Sequence, residues 1–206
     1  MDPSDEFAAK EIVRAARFLA GRGWAPAGSG NYSHRCPDGA FAITVSGADK
    51  RELRAADVMR LDPAGAPLDG RSPSAETALH LAIYRLYPEA QAVVHSHSIA
   101  VVVLSHLSEG VIRLEGYELL KAFPGVATHA CALELPVFDN SQDMAALAQT
   151  VDARLQASPA PAFVIRDHGL YGWGRTMDEA LNAVEAAETL IACELELMRF
   201  GRRSSR

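Results

Sequence analysis

The sequence predicts an α/β fold, a sheet covered by helices on both faces, and three observations lead there. Stretches with apolar residues at helical spacing alternate with short β-branched runs along the whole chain. A Pro37-Asp38-Gly39 turn joins two alternating runs as a hairpin, which argues against a wholly parallel sheet. No repeat, linker or low-complexity segment divides the 206 residues, so a single domain spanning 1–206 is expected.

Composition narrows the function classes. A hydrophobic fraction of 49% with 22% charged residues is that of a soluble globular protein. No run approaches a membrane span and the opening MDPSDEFAAKEI is acidic, so neither a membrane partner nor a signal peptide is expected and the cytoplasm is the expected compartment. The formal charge is −6 and basic residues cluster only in the tail from Arg199 to Arg206, so nucleic acid is not an expected partner. An anionic small molecule remains compatible, because backbone amides hold phosphate without net positive charge. Cys36, Cys131 and Cys193 form no C-x-x-C pair and read as free thiols.

Each element has its own signal. Residues 4–20 read as a helix capped by Ser4, with Asp5 and Glu6 in its first turn, Ile12, Ala16 and Leu19 on one face, and Gly21 and Gly23 as its stop. GSGNYSHR is a tight loop leading into an alternating strand, and small residues there let the backbone approach an anion. The hairpin returns as AFAITVS, ending in Ser46-Gly47. Residues 53–69 read as a short polar helical stretch followed by turns. A second helix is expected from Ser74 as N-cap, with Glu76 in its first turn, until Pro88 closes it. Its free N–H groups make Ser74 a candidate phosphate ligand.

Further on, Ser98 caps a short apolar helix, VIRLE at 111–115 is a strand, and GYELLKAF is a helical turn carrying Glu118. Residues 131–138 form another strand in which Pro136 marks an edge or an end. Ser141 is the expected cap of the next helix. PAFVIRDHGLYGWG holds two strands around His168-Gly169, and Thr176 with Glu179 forms a capping box for the long last helix.

The chemistry gathers around Ala92 to Leu104, AVVHSHSIAVVVL. A strand places residues i and i+2 on one face, so His95 and His97 project together as half of a metal site. His168 supplies a third imidazole at another strand end. Three histidine ligands leave a fourth position for substrate, the layout of a catalytic zinc site. Because all three sit at strand ends, alanine at any of them is expected to spare the fold. His34, His80, His106 and His129 read as ordinary satisfied or exposed histidines, and Lys50 and Arg51 as residues facing water.

GSGNYSHR, ITVSGADK, SPSAET, VVHSHS and FVIRDHGLYGWG, in this order, resemble the motifs of the class II aldolase family, over nearly the whole chain from Glu11 to Met198. The resemblance implies a three-layer α/β/α fold around a mixed, largely antiparallel sheet, and homotetramers with active sites at subunit contacts. It implies one Zn²⁺ per subunit on His95, His97 and His168, and a sugar phosphate held by Gly30, Asn31, Ser46, Gly47 and Ser74. Ala75 stands where aldolases of the family often have a second serine. GYELLKAF and the W-G with its T-x-x-E helix resemble a water-eliminating branch, acting on a ketose 1-phosphate with a methylthio tail, in which Glu118 is the acid/base. Glu76 occupies the position of the aldolases' proton-handling glutamate and is expected to matter less. Retro-aldol cleavage, or an adducin-like interaction module without activity, are the alternative roles.

Overall fold

The computed structural model describes residues 3–201. Eight strands form one sheet in the order β3-β2-β1-β4-β8-β7-β6-β5. They are β1 (Asn31–Arg35), β2 (Phe41–Thr44), β3 (Val58–Leu61), β4 (Ala92–Ser96), β5 (Val111–Glu115), β6 (Ala132–Phe138), β7 (Ala162–Ile165) and β8 (Gly169–Gly174). Neighbours run antiparallel except β6 and β7, which are parallel. The sheet is therefore mixed and largely antiparallel, as expected.

Helices cover both faces. On one side α1 (Pro3–Gly21), α3 (Ile99–Leu107) and α5 (Met177–Arg199) set Ile12, Leu19, Leu104, Val184 and Ile191 against Tyr32, Val94, Val164 and Leu170. On the other, α2 (Thr77–Leu86) and α4 (Met144–Ala157) set Leu79, Ile83, Leu147 and Val151 against Ile43, Val93, Phe163 and Tyr171. The strand β4 lies between both layers with all five residues buried. That explains why it reads as a continuous apolar run up to its histidine.

Several boundaries differ from the sequence expectation, each for a visible reason. Residues 58–61 are a strand, β3, paired with β2 rather than part of a helical stretch. The second helix starts at Thr77, with Glu76 at its N-cap position, so Ser74 is not the cap. The Ser-Pro-Ser segment is held extended against the end of β2, where Ser46 N–H donates to Ser72 O, Ser74 N–H to Thr44 O, and Pro73 bridges Val45. Backbone committed to the sheet cannot enter a helical turn. Asp143 replaces Ser141 as the cap of α4, accepting from Ala146 N–H at 2.9 Å, while Ser141 Oγ accepts from Asp143 N–H. Thr176 caps α5 as expected, but the Glu179 carboxylate reaches back to Arg175 N–H, one residue before the usual partner. The helix α1 begins at Pro3, so Ser4, its expected cap, falls inside it.

Pro136 marks neither an edge strand nor an end. Along β6 it pairs with Val111 of β5, and only from Val137 onward does β6 pair with β7. The missing N–H of proline falls just before β6 meets its second neighbour, so no ladder bond to β7 is lost.

Candidate active site

One row of the sheet carries the centre of the site. Asn31 of β1 pairs with His95 of β4, and His95 pairs with Tyr171 of β8, so the three side chains stand side by side on the face under α2. Tyr171 stacks on the His95 imidazole with centroids 4.0 Å apart, and Phe163 stacks behind Tyr171. Gly169 permits this closeness, since a Cβ there would lie 2.7 Å from His95 Cε1 and 2.3 Å from Ser96 O.

His95, His97 and His168 converge with their ligand atoms all within 4.8 Å of one another. His95 Nδ1–H donates to Leu170 O at 3.0 Å, which leaves Nε2 as the bare lone pair. That Nε2 is buried without a hydrogen-bond partner, as is His168 Nδ1. Burial, and then the neighbouring His168, hold the His95 imidazole neutral, and burial with His95 and His168 pushes His97 down to about 3. Converging imidazoles, two of them held neutral and with unpartnered ring nitrogens, are what a divalent metal requires, so the residues fit the group.

The structure brings Glu76 to this cluster. Its Oε1 lies 3.1 Å from His168 Nε2 and its Oε2 3.3 Å from His95 Nε2. Asn31 Nδ2 donates to Oε2 at 2.6 Å, and Tyr171 Oη donates to the same oxygen at 2.8 Å. Burial, then the Glu76 carboxylate, raise the Tyr171 phenol well above its ordinary range, so it remains a donor. Glu76, expected in the first turn of the second helix, is instead the N-cap residue of α2 and faces this cluster.

Glu118 is not brought to the cluster within one chain. It sits on the 3-10 helix Glu118–Ala122 with its side chain 72% exposed, paired with Lys121 and with His129 at 3.5 Å. The Lys121 hydrogen bond keeps its carboxyl below the usual range.

An open cavity of about 540 Å³ joins the cluster to the glycine-rich loops. Gly30, Asn31, Ser46, Gly47, Ser74, Glu76, His97 and His168 all line it, so every residue expected at the phosphate is at one place. Gly30, at φ +92°, approaches β4 so closely that a Cβ would lie 2.8 Å from His95 O. The Asn31 side chain has both ends engaged, by Glu76 and by His80, and so acts first on those residues. Lys50 was expected to face water, but it is 5% exposed and lines the same cavity. Its ammonium donates to Ala48 O and makes no salt bridge among the described residues, and burial lowers its pKa. Arg51, by contrast, is exposed and paired with Asp49. Ser29 Oγ, also in the cavity wall, is buried with no partner.

Two supports hold the histidine segments. Glu188 of α5 is 2% exposed and accepts from Ser96 Oγ at 2.6 Å and from Ser98 Oγ, the residues on either side of His97. Arg166 donates to Ser105 O and Ser108 O at the end of α3 and to Asp139, and Asp167, at φ +57°, donates its N–H to Ser105 Oγ. The turn that presents His168 is thus clasped to α3.

Burial pushes the Glu188 carboxyl up to about 7, with the two serine hydrogen bonds opposing. Its folded pKa is above its unfolded value, so the protonated carboxyl favours folding below about 4.5, and that contribution is lost as pH rises through about 7. Glu188→Gln, which cannot ionise, is expected to gain stability relative to the parent between pH 5 and pH 8, on the order of 1–3 kcal/mol. Urea unfolding at the two pH values checks this, and a difference that does not change with pH would count against it.

Sequence reasoning did not single out Tyr171 or give Lys50 its place. The register of β8 against β4 marks Tyr171 in retrospect, whereas nothing local marks Lys50.

Comparison with known proteins agrees with this geometry. The family model described as Class II Aldolase and Adducin N-terminal domain matches residues 10–195. A methylthioribulose-1-phosphate dehydratase of Methylococcus capsulatus is 50% identical over 197 residues, 95% of this chain and 97% of its own. One of Marinobacter nauticus is 53% identical over 200 residues, 95% of this chain and 96% of its own. The crystal structure of YgbL from Klebsiella pneumoniae superposes with a TM-score of 0.80 at 27% identity, covering 98% of this chain and 94% of that one. An L-fuculose 1-phosphate aldolase, at 22% identity and a TM-score of 0.79 over 94% of this chain and 87% of that one, shares the fold. Matched by the family model over most of its length and about half identical to proteins of equal span, the chain belongs to the class II aldolase family.

Proposed function

We propose that the protein eliminates water from 5-methylthioribulose 1-phosphate to give 2,3-diketo-5-methylthiopentyl 1-phosphate, a step of methionine salvage, as a cytoplasmic homotetramer. The observation that carries this reading is the continuity of one cavity from His97, His168 and Glu76 of the histidine cluster to a glycine- and serine-lined cradle. A ketose phosphate has its reacting carbons and its anion at that kind of separation. Identity of 47–53% to methylthioribulose-1-phosphate dehydratases supports the choice of substrate.

Zn²⁺ held by His95, His97 and His168 would supply Lewis acidity to the C2 and C3 oxygens of the substrate. Backbone amides at Gly30 and Gly47, with the hydroxyls of Ser46 and Ser74, hold the phosphate. Lys50 adds the balancing charge, since a buried ammonium without a carboxylate partner is stabilised by a bound anion. Glu76 removes the C3 proton with Oε1, the oxygen not engaged by Asn31 and Tyr171. The C4 hydroxyl leaves as water after a proton from a second acid, and the resulting enol tautomerises to the diketone. Glu118 fills that second role if a neighbouring copy of the chain brings it to the cavity. The exposed apolar residues Ile99, Leu197 and Phe200, on α3 and at the end of α5, give such a copy a surface to cover.

A second reading has one observation in its favour, because Glu76 at the cluster also suits retro-aldol cleavage of a ketose 1-phosphate. Incubating zinc-loaded protein with methylthioribulose 1-phosphate and with fuculose 1-phosphate separates the two. One diketone with loss of water supports the dehydratase, and two fragments overturn it. For the phosphate, Lys50→Met is expected to raise KM about 10–100-fold with kcat little changed, the cost of one charge-assisted hydrogen bond. Steady-state kinetics check this, and an unchanged KM would remove Lys50 from the site.

A further inference from the structure

Beneath α2 runs a file of hydrogen bonds that the reaction above does not use. Tyr84 Oη lies 2.8 Å from Ser33 Oγ, and Ser33 Oγ lies 2.7 Å from His80 Nδ1. His80 Nε2 meets Asn31 Oδ1, and Asn31 Nδ2 donates to Glu76 Oε2 at 2.6 Å. All five residues are buried, His80 and Ser33 to 1% exposure. His80 stands on α2 one turn after Glu76, so the same helix carries both ends of the loop that Asn31 closes.

The direction of every hydrogen follows from one end of this file. An ionised carboxylate only accepts, so Asn31 must turn its NH₂ to Glu76 and its carbonyl oxygen to His80. That oxygen also only accepts, so His80 carries its hydrogen on Nε2. His80 Nδ1 is then a bare lone pair that takes the Ser33 hydroxyl hydrogen, and Ser33 Oγ in turn accepts from Tyr84. Without the His80 donor, the Asn31 amide is held only at its NH₂ end by Glu76, and its buried carbonyl oxygen is left without a partner, so the side chain is no longer clamped from both sides.

We propose that His80 is a positioning residue which, by clamping the Asn31 amide, holds Glu76 with Oε2 engaged by Asn31 and Tyr171 and Oε1 left beside His168. This rests on the reading of Glu76 as the group that takes the substrate proton. A network that merely pins α2 to the sheet would leave the same bonds in place but would not tie the turnover rate to the donor at Nε2. The two roles are therefore separable.

The experiment compares His80→Leu, which removes the donor, with His80→Gln, whose amide nitrogen restores one near the Nε2 position. His80→Leu is expected to lower kcat on methylthioribulose 1-phosphate about 10–100-fold, with KM and bound zinc unchanged, and His80→Gln to recover most of the rate. Ser33→Ala, a smaller change that frees the His80 tautomer, is expected to lower kcat several-fold and serves if His80→Leu does not fold. NMR on the metal-free proteins gives a readout apart from activity. The His80 hydrogen is expected on Nε2, and the Asn31 carboxamide protons are expected to exchange slowly in the parent and in His80→Gln and fast in His80→Leu. A hydrogen on Nδ1, a protected Asn31 amide in His80→Leu, or an undiminished kcat in the folded variants overturns the proposal. A parent protein that makes no diketone overturns the dehydratase reading instead, and the NMR outcomes still decide the role of His80.

Discussion

Replacing His97 by alanine is expected to empty the metal centre and lower turnover by about 10³-fold or more, because several kcal/mol of Lewis-acid stabilisation disappear with the metal. His97 is the informative position. His95 is wholly buried in mid-sheet, stacked on Tyr171 and flanked by Asn31, so His95→Ala would leave a cavity and lower stability together with metal affinity. The expectation that any of the three histidines can be removed without cost to the fold therefore fails at His95. His97 follows the end of β4 and is partly exposed, so its loss tests the metal with little disturbance of packing. Metal content of protein purified without chelator, measured beside the rate, decides the matter. Full zinc occupancy in His97→Ala would remove it from the ligand set.

The second large effect concerns Glu76. Glu76→Gln keeps the shape but places an amide among donors, since Asn31 Nδ2 and Tyr171 Oη already donate to Oε2. Loss of the base is expected to lower kcat about 10²–10⁴-fold, the usual range for general acid/base assistance. Glu118→Gln is expected to cost about 10²-fold. A mixed assembly tells whether the two carboxylates meet across subunits. Chains bearing only Glu76→Gln and chains bearing only Glu118→Gln, coexpressed, would regain part of the parental rate if one site draws Glu118 from a neighbour. Each intact site would then combine an unaltered Glu76 with an unaltered Glu118. No recovery would mean that both act in the same chain or that Glu118 does not act.

Much of the site was legible because its signals are local. The histidines stand where apolar runs end, and strand periodicity alone puts His95 and His97 together. The G-S-G-N loop and Ser74 read locally as anion candidates, whereas the expected role of Ser46 and Gly47 followed from the family resemblance. What escaped depended on tertiary context. Ser74 looks like a helix cap, yet the residues before it pair with the end of β2 and delay the helix to Thr77. Ser141 and Asp143 are both good caps two residues apart, and it is Asp143 that accepts from Ala146 N–H, while Ser141 accepts from Asp143 N–H. The strand β3, Val58 to Leu61, is only four residues long, too short to show periodicity. A lysine reads as a surface residue until a folded cavity closes over it, as happens to Lys50. Glu118 is placed by no signal within one chain.

The handover at Pro136 divides the sheet into two parts of unequal cooperativity. In the backbone ladder the hairpin β5–β6 meets β7 through two residue pairs, Val137 with Val164 and Phe138 with Ile165, while Ile112, Leu114 and Leu135 bury it in the core. The strand β4, which carries His95, is laddered along its length on both sides. Opening the hairpin breaks few ladder bonds to the rest of the sheet, whereas opening at β4 breaks a ladder on each side. The segment between β5 and β6 is anchored by Leu120 and Phe123 and turns Glu118 outward, away from the doubly laddered histidine row. The fold thus sets the histidine geometry inside one rigid ladder and leaves its second carboxylate on an outer rim.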